Sequence, residues 1–115
     1  MHGLIRALKA ARIVKTFRVT DFIDEESVKV VRVKAALQDG SVLYATESEI
    51  NRRQKYSYHW QTQTGTLIVR WDNSPHYKCL ETFPCHKHIG TEIAAASRAT
   101  AQEVLAEIAG RMSKH

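Results

Sequence analysis

Apolar positions recur along this chain with two different periods. Leu4, Ile5, Leu8 and Ala11 fall at helical spacing with Arg6, Lys9 and Arg12 between them, which predicts a short amphipathic helix from residue 3 to about 13. From Val14 the residues turn β-branched and aromatic. Val28 to Leu37 and Val42 to Thr46 flank Asp39-Gly40, a strong short hairpin signal. A two-residue turn there sets Leu37 opposite Val42, Ala35 opposite Tyr44 and Val33 opposite Thr46 on an apolar face, with Arg32 opposite Glu47 on the other.

A second hairpin is predicted from Lys55–Gln61 and Thr66–Asp72, joined by Thr62-Gln63-Thr64-Gly65. Tyr56, Tyr58 and Trp60 then share a core face with Leu67, Val69 and Trp71. The opposite face carries Lys55, Ser57 and His59 beside Ile68, Arg70 and Asp72, a set too polar to be buried without partners. After Asp72, Pro75 and Pro84 interrupt regular pairing and a long loop is expected. Thr100-Ala101-Gln102-Glu103 matches a capping box, and Val104, Leu105 and Ile108 give the apolar stripe of a closing helix that ends near Gly110. The fold class is α+β: an antiparallel sheet of about five strands with an N-terminal and a C-terminal helix.

Composition narrows the class. At 115 residues with 43% apolar and 25% charged residues, the chain is expected to form one folded domain spanning 1–115. No apolar run approaches the roughly 18 residues of a membrane span, and Arg6, Lys9 and Arg12 interrupt any export-signal core. No membrane association is expected and the location is read as cytoplasmic, where Cys79 and Cys85 would be thiols. A formal charge of +5 favours an anionic partner such as nucleic acid, RNA included, or an acidic protein surface.

The chemistry concentrates in one stretch. WDNSPHYKCLETFPCHKHIG, Trp71 to Gly90, holds three of the six histidines, both cysteines and both prolines. The loop leaves the polar sheet face at Asp72, so His76, His86, Lys87 and His88 can return over His59 and Arg70. Cleavage of RNA needs a base for the 2′-hydroxyl, an acid for the leaving oxygen and cations for the phosphate. His59, His76, His86 and His88 titrate in the right range, and Arg70 and Lys87 supply charge. Arg32, Lys34, Lys55 and Asp72 are the candidate substrate-binding residues. A zinc site built from His76, Cys79, Cys85, His86 and His88 is a further reading, but no Cys-x-x-Cys pair anchors it, so neither a metal nor another cofactor is assigned. The alternative from another class is a binding module without catalysis, whose basic face engages nucleic acid or a protein partner.

The run Tyr56-Ser57-Tyr58-His59-Trp60-Gln61, then Leu67-Ile68-Val69-Arg70-Trp71-Asp72-Asn73, Pro75-His76, Thr82-Phe83-Pro84 and His86-Lys87-His88 resembles the TumE family of bacterial and archaeal toxin–antitoxin proteins. The resemblance covers Tyr56 to His88 in order, with a similar closing helix. It implies a small growth-inhibiting toxin of a type II module, encoded beside a cognate antitoxin that is commonly a DNA-binding helix-turn-helix protein. Tyr77, Glu81 and Cys85 depart from the family pattern, whereas His59, His76, His86 and His88 keep it. Self-association as a homodimer is left open by the sequence.

Overall fold

In the computed structural model, which describes residues 3–73, 86–90, 92–95 and 99–113, seven strands follow one another as a meander between two helices. Helix α1 is Gly3–Ala10. The strands are β1 (Val14–Asp24), β2 (Val28–Leu37), β3 (Val42–Ile50), β4 (Arg53–Gln61), β5 (Leu67–Asp72), β6 (His86–Ile89) and β7 (Glu92–Ala95), and α2 is Ala101–Met112. Every strand pairs antiparallel with its sequence neighbour, in the order β1-β2-β3-β4-β5-β6-β7. The expected α+β class holds, with two strands more than the sequence suggested. Both come from the end of the segment read as loop: His86–Ile89 pairs with β5, so that strand, which contains the buried Val69, Trp71 and Asp72, is not left at an edge with bare backbone donors.

Alternation decides the packing. Val31, Val33, Ala35 and Leu37 of β2, Leu43 and Ala45 of β3, Tyr56, Tyr58 and Trp60 of β4, and Val69 and Trp71 of β5 point to one face. There they meet Leu4, Ala7 and Leu8 of α1 and Val104, Leu105 and Ile108 of α2. The four aromatic residues of the second hairpin are therefore core. Thr100 caps α2 as expected: its Oγ1 accepts from the Glu103 amide at 3.2 Å and donates to the Glu103 carboxylate at 3.0 Å. Helix α2 runs past Gly110 to Met112, and α1 stops short of the expected residue 13.

The first hairpin corrects the expected register by one residue. Ala36 pairs with Val42, Ala35 with Leu43 and Val33 with Ala45, and Arg32 stands opposite Thr46 rather than Glu47. The loop has three residues, Gln38 to Gly40. Leu37 N donates to Ser41 O at 2.9 Å, and Gly40, at φ 88°, supplies the left-handed third position. Ser41 locks this choice, because its amide and hydroxyl both donate to the Asp39 carboxylate while its hydroxyl accepts from the buried Trp60 indole at 2.9 Å. Val42, Tyr44 and Thr46 thereby move to the face without helices.

A third hairpin has no clear sequence signal. Asn51 and Arg52, at φ 51° and 69°, make a two-residue turn between β3 and β4, with Ile50 opposite Arg53. This is the left-handed pair that matches strand twist, and Arg at its second position hides it from a search for Asn-Gly. Relief of the left-handed cost at Arg52 is worth up to about 1 kcal/mol. Arg52→Gly is therefore expected to raise the melting temperature by roughly 3–6 °C, read by circular dichroism, with the fold unchanged.

Candidate functional site

Because both helices lie on one side, the other, open face of the sheet carries no helix among the described residues. Register carries one row of residues straight across it: Arg18, Lys34, Tyr44, His59, Arg70, His88 and Ile93, one from each strand. A parallel row runs Asp21, Arg32, Thr46, Ser57, Asp72, His86 and Ala95. Adjacent strands lie about 4.8 Å apart, so neighbours within each row from β1 to β5, and His88 beside Arg70, are in side-chain contact range. Residues distant in sequence thus become a contiguous cationic and imidazole-bearing strip.

The centre of the strip is a connected hydrogen-bond chain. Arg70 Nε donates to Asp72 Oδ2 at 3.0 Å, and Arg70 Nη1 donates to His59 Nδ1 at 3.3 Å. His59 Nε2 lies 3.1 Å from Gln61 Oε1. A guanidinium can only donate, so Nδ1 of His59 is an acceptor and its proton sits on Nε2, where it donates to Gln61. The imidazole is held neutral. Burial, followed by the Arg70 charge, pushes His59 below the ordinary histidine value of 6.5, and the Gln61 hydrogen bond restores part of that loss.

On the far side of Arg70, His88 Nε2 lies 3.7 Å from Asp72 Oδ2, an ion pair when the ring is protonated. Asp72 is buried, with 5% of its side chain accessible, and Arg70 is 37% accessible. Asp72 therefore serves as the fixed anchor from which Arg70 and His88 are set. Asn73 completes the end of β5: it accepts from Tyr56 N at 2.9 Å and donates to Gln54 O at 3.0 Å, continuing the ladder with its side chain.

The candidates divide as follows. His59, Arg70, His88 and Asp72 converge, Lys34 stands in the same row beyond Tyr44, and Arg32 stands in the adjacent row. The backbone of His86 is placed opposite Asp72. Its side chain, together with His76, Cys79 and Cys85, lies outside the described residues. Lys87 goes to the opposite face. Its ammonium ion lies 2.7 Å from the Glu107 carboxylate of α2 and 5.7 Å from the centroid of the Trp71 ring, so it ties α2 to the sheet. Lys55 lines a cavity of about 460 Å³ with Arg6, Glu47, Glu49, Tyr58 and Thr100, away from the His59 row. Two residues of the strip escape sequence reading: Gln61, whose spacing of two from His59 puts it on the same face, and Tyr44, which the two-residue hairpin register assigns to the core.

Among the described residues, no group of three or more histidine, cysteine or carboxylate side chains is arranged to hold a metal, and no helix is long and apolar enough to cross a membrane. A single-layer sheet with helices on one side and a cationic, histidine-bearing surface on the other defines a small α+β domain that presents its chemistry on strands. The family model described as toxin TumE matches residues 4–112. The chain belongs to this family, and as a toxin of the toxin–antitoxin kind it has an antitoxin as its implied partner. No curated protein matches it, and no solved structure does.

Three outcomes follow from the geometry. Because the folded pKa of His59 is depressed, the unfolded state takes up its proton first, so stability is complete above about pH 6.5 and falls as the pH drops through that value toward the folded pKa. Arg70→Ala removes the charge that helps depress it, and the His59 ring signal in an NMR titration is expected to move its midpoint upward; an unchanged midpoint would show that the contact carries no electrostatic weight. Lys87→Met is expected to lower thermal stability, because Glu107, which bonds from Lys87 and Arg111 hold below the usual carboxylate range against the opposite effect of burial, loses a partner.

Proposed function

We propose that the open face binds and cleaves RNA as the toxin activity, without a metal. The observation that carries this reading is the His59–Arg70–His88 row: a guanidinium flanked by two imidazoles on neighbouring strands, one neutral and one beside a carboxylate. In this reading Arg70 holds the scissile phosphate through its guanidinium. His59 acts as base on the 2′-hydroxyl once Arg70 turns from Nδ1 to the phosphate. The 2′-oxygen attacks phosphorus, the bond to the 5′-oxygen breaks, and His88, whose protonated form pairs with Asp72, protonates the leaving oxygen. The product is a 2′,3′-cyclic phosphate. His86, at the next register position along β6, and His76 are further candidates for contact with the chain. Lys34 and Arg32 extend the cationic surface for neighbouring phosphates. The cytoplasm and a helix-turn-helix antitoxin fit this reading.

The test is incubation of purified protein with RNA in excess chelator. Cleavage with cyclic-phosphate ends is expected, and His59→Ala and His88→Ala should each lower turnover by roughly a hundredfold or more with RNA affinity nearly retained. Arg70→Lys should also lose rate, because an ammonium cannot reproduce a two-pronged hold. Lys87→Met should leave the rate within a small factor, since that residue serves the other face. The pH profile should be bell-shaped, with its rising limb below pH 6.5 where His59 loses its proton. RNA that is bound but left intact would transfer the face to the non-catalytic binding reading.

A further inference from the structure

The edge strand β1 carries an inverse symmetry in its own sequence. From Lys15 it reads Lys-Thr-Phe-Arg-Val-Thr-Asp-Phe-Ile-Asp, ending at Asp24. Laid antiparallel on a second copy with Val19 opposite Thr20, it sets Arg18 opposite Asp21, Phe17 opposite Phe22 and Lys15 opposite Asp24. Each of these contacts then occurs twice, as a twofold axis requires. We propose that the free edge of β1 is a self-pairing surface through which two copies of this chain join their sheets about an axis between Val19 and Thr20.

Pairing of this kind demands that opposed residues share a face, and a regular strand would fail the demand. Phe17 and Phe22 are an odd number of positions apart and would point to opposite sides. The irregularity between Val19 and Asp21 supplies the extra residue that corrects the parity. Phe17 stands opposite Ala35 and Phe22 opposite Val31, both on the helix-bearing face. Arg18 stands opposite Lys34 and Asp21 opposite Arg32, both on the open face. The bulge therefore makes the sequence symmetry a spatial one.

Exposure agrees. Phe22 is 49% and Val19 42% exposed, the helices having left this end of the core face bare. Asp21 touches Arg32 only at 3.7 Å, with 42% of its own side chain accessible, so its carboxylate can accept a second guanidinium. An 11-residue strand at the end of the sheet order leaves a long row of backbone groups without a strand partner among the described residues, and self-pairing satisfies them. Because the axis is perpendicular to the sheet, the two open faces come to lie on the same side and their rows become continuous across the junction. This inference is independent of what the open face does.

Sedimentation of the whole chain across the micromolar range tests it. The wild type is expected at twice the 13.1 kDa chain mass. Arg18→Asp alone sets one carboxylate against another at both ends of the junction, because the new side chain faces Asp21 of the second copy, and Asp21→Arg alone opposes two arginines. Each is expected to raise the dimer dissociation constant by roughly a hundredfold and run as monomer. An equimolar mixture of these two variants restores opposite charges at both positions and should return to the doubled mass, which a misfolded variant could not do. Phe22→Glu, at an exposed position, should also give monomer with an unchanged far-ultraviolet circular dichroism spectrum and a melting temperature that no longer depends on protein concentration. A monomeric wild type, or variants that remain dimers, would overturn the proposal.

Discussion

Two helices cover one face of a seven-stranded sheet, and there is nothing of regular structure among the described residues to cover the other. This constraint organises the rest. Strand periodicity commits every second residue to the helices, so the remaining residues must tolerate water or satisfy one another. Apolar side chains of both small and large volume, Ala35 and Ala45 as well as Tyr58 and Trp60, are buried together on the helix side. On the open side the same register assembles histidine, arginine and lysine into rows. Core and site are thus two readings of a single alternation.

Within the open face, the buried carboxylate of Asp72 is the fixed point. A charge with so little solvent requires partners, and it finds Arg70 on its own strand and His88 on the next. Arg70 in turn sets the tautomer of His59. The chain of dependence runs from a packing fact, the burial of the end of β5, to the protonation state of a ring on β4. The Asn73 side chain helps by carrying the β4 ladder past that end, so the carboxylate does not sit on fraying backbone.

How far the sequence discloses this depends on the kind of information required. The second hairpin is legible over most of its length, since Tyr56, Tyr58, Trp60, Val69 and Trp71 alternate; at its loop end an irregularity between Trp60 and Gln61 sets Gln61 opposite Leu67, and Ile68 rather than the expected Leu67 packs against the core. The first misleads by one residue because Asp39-Gly40 serves equally in a two- or three-residue loop; what decides is Ser41, bound at once by Asp39 and Trp60, a contact between distant segments. Asn51-Arg52 is invisible because an arginine in the left-handed region contradicts local preference and is held there by the strands it joins. His86–Ile89 reads as loop because the prolines upstream suggest irregularity, whereas its pairing is imposed by the needs of β5. Convergence of His59, Arg70 and His88 on one face is expected from the sequence. The opposite fate of Lys87 follows from the same alternation, once its segment is known to be a strand.

The meander order has a consequence in time. Every strand pairs with its neighbour in sequence, so the sheet requires only short loop closures, and hairpins can form in the order in which a ribosome releases them. The helix-side surface of Trp60, Trp71 and Val69 stays uncovered until Val104, Leu105 and Ile108 arrive, and α2 must also meet α1 from the beginning of the chain. Nascent sheet therefore exists before a finished core does. A binding partner acting on the growing chain would meet a half-built molecule whose strands are ordered and whose hydrophobic face is still open.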